Sequence, residues 1–184
     1  MSELIMSINT CVSATGINFV TRFEWQASLP VEARTELDEI PPPYVIIIHT
    51  VTEFCITILE CIENVQGIQD YHMRGLNYND IGYNFLIGGD GSVFVGLGWN
   101  IQGAHTLGYN RNSLGIAFIG NFMHDNATSN QIQAAEKLLK FSVKDHKLAE
   151  NYKLMGQRQV SANLSPGENL YKVIKGWDHW TPVP

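Results

Sequence analysis

The chain has 184 residues, of which 45% are hydrophobic and 16% charged, and this is enough for one domain with its own core. Its net charge is −6, and its lysines and arginines are scattered, which argues against nucleic acid or an anionic membrane as a partner because both need clustered positive charge. The chain shows neither an apolar run long enough to span a membrane nor the pattern of a signal peptide, although an excised receptor ectodomain would look the same.

The first half of the chain predicts an extension, a buried strand and a helix. Residues 1–20 are polar and irregular, so we predict an N-terminal extension there and one domain over residues 21–184. Tyr44 to His49 form a continuous apolar run, which is typical of a central strand buried on both faces. Residues 57–74 show helical periodicity. The positions predicted to face inward are Ile58, Ile62, Val65 and Gln69.

A hairpin and another buried strand follow. Phe85 to Gly89 and Ser92 to Gly96 flank the turn sequence Gly89-Asp90-Gly91, which indicates two antiparallel strands. Leu114 to Gly120 is again continuously apolar, as expected for a strand in the middle of a sheet.

The last third predicts two helices separated by a strand. Thr128 and Gln131 form a capping box that opens a helix, and Tyr152 to Gly156 is typical of a strand. Ser165 and Glu168 form a second capping box, with Pro166 at the first helical position. The inward positions of the first helix are Ile132, Ala135, Leu139 and Val143. Mixed strands and helices without a repeat or linker predict a single α/β domain.

Cysteines and glycosylation sequons bear on the cellular compartment. Cys55 and Cys61 would lie roughly 9 Å apart on a continuous helix, too far for a disulfide, so they pair only if Cys55 precedes the helix. Otherwise both are buried thiols. Cys11 is left over in either case. Sequons at Asn126 and Asn163 point weakly to secretion, the second being weakened by the proline that follows it.

Several motifs in a fixed order resemble the insect-type peptidoglycan recognition proteins, which are relatives of the zinc amidases of the phage-lysozyme type. The stretches are Arg22-Phe23-Glu24-Trp25, Val45 to Thr52, Val65 to Met73, Asp80 to Asp90, Gly103 to Asn110, Ile119-Gly120-Asn121-Phe122, Tyr152 to Gln159 and Ser165-Pro166-Gly167. The resemblance implies a single α/β domain with a central mixed sheet, about three main helices and a groove on one face. It also implies that Cys55 and Cys61 form a disulfide, and hence an extracellular location, either secreted or on a cell-surface receptor.

The resemblance also locates a degenerate metal site. Active relatives hold zinc with two histidines and a cysteine, and the matching positions here are Ile48, Gln157 and Ser165. Alkyl, amide and hydroxyl groups cannot replace that ligand set, and His49 cannot substitute because adjacent strand residues point to opposite faces. The auxiliary residue that active relatives carry between the last two ligands matches Asn163. Tyr83 matches the tyrosine that lies near the metal-bound water in those relatives, but here there would be no such water for it to assist. We therefore predict no amidase activity, no metal and no other cofactor; Ser165 is expected to serve as a helix cap.

A ligand groove is the second implication. The positions that would line it are His49, Thr50, His72, Tyr83, Trp99 and His105. Aromatic faces and short polar donors suit sugars and stem peptides, although the same residues would also be kept for packing alone. Relatives that prefer diaminopimelic-acid-type peptidoglycan carry an arginine where this chain has Leu97, and Tyr78 replaces a tryptophan. Leucine cannot make a bidentate, charge-assisted contact with the extra carboxylate.

These features predict a non-catalytic pattern-recognition domain of innate immunity. It would bind bacterial peptidoglycan fragments or regulate sibling receptors. The alternative is a ligand-blind co-receptor or decoy that acts through dimerisation with itself or with sibling receptors. Leu97 favours this alternative, and an open groove would favour ligand binding.

Overall fold

A computed structural model describes residues 16–183 and contains one six-stranded mixed sheet. The strands are β1 (Phe19–Val20), β2 (Tyr44–His49), β3 (Phe85–Ile87), β4 (Val93–Val95), β5 (Ser113–Phe118) and β6 (Lys153–Gly156). Their order across the sheet is β1-β4-β3-β5-β2-β6, and only the predicted hairpin pair β3–β4 is antiparallel. The α/β class and the mixed sheet predicted from the sequence are confirmed.

Three helices cover the two faces of the sheet. They are α1 (Ile58–Asp70), α2 (Ser129–Lys144) and α3 (Glu168–Ile174). Alternate residues of each strand point to opposite faces. In β2, Val45 and Ile47 join the core beneath α2 and α3, whereas Ile46 and Ile48 join the core beneath α1. The domain is therefore a three-layer sandwich with α1 alone on one side.

Two of the three predicted helix starts are supported by caps. The Thr57 side chain accepts from the Glu60 backbone N–H, and Thr128 does the same for Gln131, so both helices open with a full capping box. The predicted cap at Ser165 is wrong. Helix α3 begins at Glu168 after Gly167, whose φ of 91° no other residue adopts readily, and no side chain caps it.

The buried stripes of the helices differ in part from the predicted ones. Val65 and Gln69 of α1, and Ala135 and Leu139 of α2, are buried as expected. Ile58, Ile62, Ile132 and Val143 are only half-buried. Cys61 and Ile68 take their place in α1, and Ala134 and Leu138 in α2. Periodicity defines the spacing of a buried stripe, but the sheet on which the helix packs determines which residue lies at its centre.

The predicted extension over residues 1–20 does not lie wholly outside the sheet. Ile17 is 2% exposed, and Phe19–Val20 pair in parallel with Val93 and Phe94 of β4. A strand of two residues is too short to show periodicity, so the sequence gives no sign of it. Residues 1–15, including Cys11, lie outside the described part of the chain.

The predicted disulfide is present and lies at the start of α1. Cys55 and Cys61 are bonded, with Cα atoms 5.1 Å apart, and both are fully buried. Cys55 precedes Thr57, the N-cap of α1, so the spacing that a continuous helix would forbid is reached through the loop. The bond ties the loop after β2 to the first turn of the helix that borders the candidate site.

Candidate functional site

An open cavity of about 330 Å³ lies between α1 and the loop that follows β2, and we call it the groove cavity. It is lined by Thr50, Thr52, Glu63, Asn64, Gly67, Ile68, Tyr71, His72 and Tyr83. Three of the six residues predicted for the groove, Thr50, His72 and Tyr83, therefore meet here. The His72 and Tyr83 rings pack edge to face with centroids 5.1 Å apart. This arrangement offers hydroxyl, imidazole and phenol groups on a rigid wall.

Backbone hydrogen bonds orient these side chains. The Thr50 hydroxyl accepts from the Gly120 N–H at 3.0 Å and is hydrogen-bonded to Thr52 Oγ1 at 2.7 Å. The His72 Nδ1 atom accepts from the Gly82 N–H at 2.9 Å. In the neutral ring the proton then lies on Nε2, which becomes the donor available to a ligand. A side chain at Gly82 would bring its Cβ within 2.8 Å of the Ala104 carbonyl oxygen, so glycine permits this close approach.

His105 lies on the same face of the sheet but deeper. Its ring covers Gly103 and Gly115, where added Cβ atoms would collide with it. Its Nδ1 is hydrogen-bonded to Thr106 Oγ1 at 3.0 Å, whereas its Nε2 is buried and has no hydrogen-bond partner among residues 16–183. Its carbonyl oxygen accepts from Gln157 Nε2 at 2.6 Å, a contact between remote residues that the sequence did not predict.

His49 and Trp99 are not brought to the groove cavity. His49 follows Val45 and Ile47 on the face beneath α2 and α3, where its Nδ1 accepts from the Phe122 N–H at 3.2 Å. Trp99 packs against Phe85 with ring centroids 4.8 Å apart and donates from Nε1 to Ser142 of α2 at 2.9 Å. Both belong to the core on the far side of the sheet, since strand alternation and the packing of α2 direct their side chains there.

The three positions predicted to match the zinc ligands of active relatives have chemistry that does not fit a metal. Ile48 is 2% exposed and packs beneath α1. Gln157 donates to the backbone of His105, and Ser165 Oγ accepts from the His49 N–H at 3.2 Å. Each polar group is therefore used in an internal hydrogen bond, and no set of three or more His, Cys, Asp or Glu residues within 16–183 is arranged to hold a metal ion.

A second cavity, of about 170 Å³, contains Leu97, and we call it the Leu97 cavity. Arg34, Tyr78 and Asp80 share its lining. The Asp80 carboxylate is almost fully buried and receives Arg34 Nη2 at 2.7 Å and Arg22 Nη2 at 3.0 Å. The two arginines are thus committed to a buried carboxylate, which would be costly to leave unpaired.

Burial lowers the pKa of three histidines that were predicted to line the groove. The pKa falls to about 4 for His72 and to about 3 for His105. Burial also lowers the pKa of His49 to about 4, and the positive charge of Arg158 adds to this effect. The folded state therefore resists protonation that the unfolded chain accepts near pH 6.5. We expect the free energy of unfolding to be constant above pH 6.5 and to fall as the pH drops from 6.5 toward 4, by up to about 1.4 kcal/mol per pH unit for each histidine.

Thermal unfolding recorded from pH 7.5 to 4.5 measures this dependence. His105→Gln removes one titrating group and is expected to flatten the slope, whereas Gln133→Ala, which replaces an exposed residue that does not titrate, is expected to leave it unchanged. Equal slopes for the wild type and His105→Gln would contradict the assignment.

The sequence model of the N-acetylmuramoyl-L-alanine amidase family matches residues 38–168. A peptidoglycan recognition protein of Trichoplusia ni is 46% identical over 161 residues, which cover 88% of this chain and 87% of the relative. The chain belongs to the peptidoglycan recognition protein family. A second member, peptidoglycan-recognition protein SC2 of Drosophila melanogaster, is 39% identical over 96% of both chains. The family membership predicted from the motifs is confirmed.

Solved structures of the family superpose closely on this chain. Bumblebee PGRP-SA has a TM-score of 0.88 at 45% identity and covers 91% of this chain and 99% of its own. Peptidoglycan recognition protein LE, in complex with tracheal cytotoxin, a monomeric diaminopimelic acid-type peptidoglycan, has a TM-score of 0.88 at 38% identity over 90% of this chain and 96% of its own. Tracheal cytotoxin is also bound to the ectodomain complex of peptidoglycan recognition proteins LCa and LCx. The matching chain of that complex has a TM-score of 0.87 at 43% identity and covers 89% of this chain and 98% of its own.

Proposed function

We propose that this domain is a non-catalytic receptor-type module of innate immunity that binds peptidoglycan fragments in the groove cavity. The proposal rests on two features that occur together. An open cavity is lined by Thr50, His72 and Tyr83, and the side chains at the predicted metal-ligand positions do not fit zinc. Two solved structures of relatives contain bound tracheal cytotoxin, which supports a peptidoglycan fragment as the ligand of this domain.

The chemistry of the cavity favours binding over hydrolysis. Burial, with a smaller contribution from Tyr78, raises the pKa of Tyr83 to about 12, so its phenol stays protonated and acts as a hydrogen-bond donor. A catalytic zinc site needs about three protein ligands to activate water, and Ile48 supplies none. Thr50 and His72 are oriented by backbone hydrogen bonds, which reduces the entropy lost when a ligand is bound.

The alternative is a co-receptor or decoy that acts on sibling receptors. Two points favour it. The resemblance predicts that Leu97, which lines the Leu97 cavity, replaces the arginine of diaminopimelic-type binders, and two different family members form the LCa–LCx ectodomain complex. Homodimers or heterodimers with siblings would then be the active form.

We also propose an extracellular location, as a secreted protein or a receptor ectodomain. The Cys55–Cys61 disulfide is stable in an oxidising compartment. Asn126 is exposed in its sequon, so a glycan is sterically acceptable there. None of the helices described between residues 16 and 183 is long and apolar enough to cross a membrane.

Calorimetric titration with defined muropeptides, with and without sibling domains, tests the function. We expect the domain alone to bind lysine-type fragments directly, since these do not need the cation that Leu97 replaces. We expect about a tenfold loss of this affinity in His72→Ala, because the imidazole donor is removed. His124→Ala, which replaces an exposed histidine outside the groove cavity, is the matched control. Binding only in the presence of a sibling domain would instead support the co-receptor function.

A further inference from the structure

Helix α1 carries an exposed glycine in its interior for which the fold offers no packing reason. Gly67 lies three residues before Asp70, where α1 continues into a π-helical turn over Tyr71–Gly75. A Cβ atom built at this position would have no neighbour within 4 Å, so the backbone does not pack closely against another part of the protein. Glycine is also less favourable than alanine inside a helix. The helix backbone is therefore open to the surroundings at this position.

Gly67 forms the low point of a ridge between two cavities. On one side is the groove cavity, and on the other is a cavity of about 440 Å³, which we call the far-side cavity. Glu63 and Gly67 line both cavities. Glu63, one turn earlier, carries a side chain on this ridge, and Tyr71, one turn later, is 61% exposed beside the groove cavity. The bare backbone at Gly67 is thus the passage by which a ligand in the groove cavity can extend over α1.

The far-side cavity has the chemistry of a carbohydrate site. Gln26, Ser28, Gln66 and Asp70 contribute amide, hydroxyl and carboxylate groups to its lining. Ser28 is held in place, since its N–H donates to the Gln69 side chain at 2.8 Å and its carbonyl oxygen accepts from that side chain at 3.1 Å.

The acceptors in this cavity suit the hydroxyl groups of a sugar. Gln66 uses its amide nitrogen to donate to the Trp25 carbonyl oxygen at 3.0 Å, which leaves its amide oxygen as an acceptor. Together with the carboxylate of Glu63 and that of Asp70, which is paired with Arg74 at 3.0 Å, this lining offers acceptors to the hydroxyl donors of a sugar.

We propose that the glycan of a peptidoglycan fragment crosses α1 at Gly67 and occupies the far-side cavity. Gly67 is then a specificity-determining residue for the carbohydrate part of the ligand. The inference rests on the proposed function and adds a subsite to it. Any side chain at residue 67 would lift the sugar from the helix backbone, because the ligand passes directly over this position.

The test compares two ligands: a disaccharide-bearing muropeptide and the same stem peptide without sugars. Gly67→Leu is expected to weaken binding of the disaccharide form by at least about tenfold and binding of the sugar-free peptide by much less, because only the sugars cross the helix backbone at residue 67. Gly67→Ala is expected to raise the Tm by about 2–4 °C, because alanine is the better helix former, and to weaken binding of the disaccharide form but not of the sugar-free peptide. A merely structural glycine would not produce a more stable protein with a ligand-specific binding defect.

Gln133→Leu is the matched control, since it places the same side chain on an exposed position of α2 on the other side of the sheet. Unchanged binding of the disaccharide form by Gly67→Leu, or equal weakening of both ligands, would overturn the inference and leave the proposed function standing. Failure of the unmodified domain to bind either ligand would overturn both.

Discussion

Leu97→Arg is expected to raise the affinity for diaminopimelic-type fragments by about tenfold and to change the affinity for lysine-type fragments much less. Only the first ligand offers the extra carboxylate, and a charge-assisted hydrogen bond contributes about 1.5–3 kcal/mol. The Leu97 cavity already contains Arg34, whose like charge keeps the expected gain at the low end of that range. Asp80 is paired with Arg22 and Arg34, so the new guanidinium remains available to the ligand.

Titration of both fragment types against the wild type, Leu97→Arg and the uncharged control Leu97→Gln measures the effect. The wild type is expected to bind the diaminopimelic type weakly or not at all, because a carboxylate beside leucine loses hydration and gains no partner. Tight binding by the unmodified domain without a partner would show that Leu97 does not limit recognition. If Leu97→Arg alters neither ligand, the role of the domain lies in protein contacts.

The purified domain, freed of any affinity tag, is expected to contain no stoichiometric zinc and to release no stem peptide from peptidoglycan. The combined variant Ile48→His, Gln157→His and Ser165→Cys is expected to take up about one zinc per chain. The three positions adjoin one another: Ile47 pairs with Gly156 in the sheet, and the His49 N–H donates to Ser165. Two histidines and a cysteine form a three-ligand set of the kind that holds catalytic zinc, so the bound metal is expected to survive dialysis.

Elemental analysis, together with an amidase assay, checks this expectation. Gln157→His alone is the control, because one added imidazole does not complete a site of three ligands. About one zinc per wild-type chain would refute the interpretation that Ile48, Gln157 and Ser165 form a metal site that has lost its ligands.

Local patterns determined much of the fold. The apolar run ending at His49 predicts a central strand because a strand buried on both faces has no polar positions. Capping signals at Thr128 and turn signals at Gly89-Asp90-Gly91 depend only on neighbouring residues, and both are confirmed. The ordered motifs identified the family and, through it, the Cys55–Cys61 disulfide.

Contacts between remote residues were decided only by the tertiary structure. His49 and Trp99 pack on the opposite face of the sheet from His72, and Ser165 receives a hydrogen bond from the β2 backbone instead of capping α3. Arg22 meets Asp80 across 58 positions of sequence. The physical reason is that a side chain's partners depend on which elements pack together, whereas propensity, periodicity and capping depend on a few adjacent residues. The open position at Gly67 became visible only once the cavities on both sides of α1 were in place.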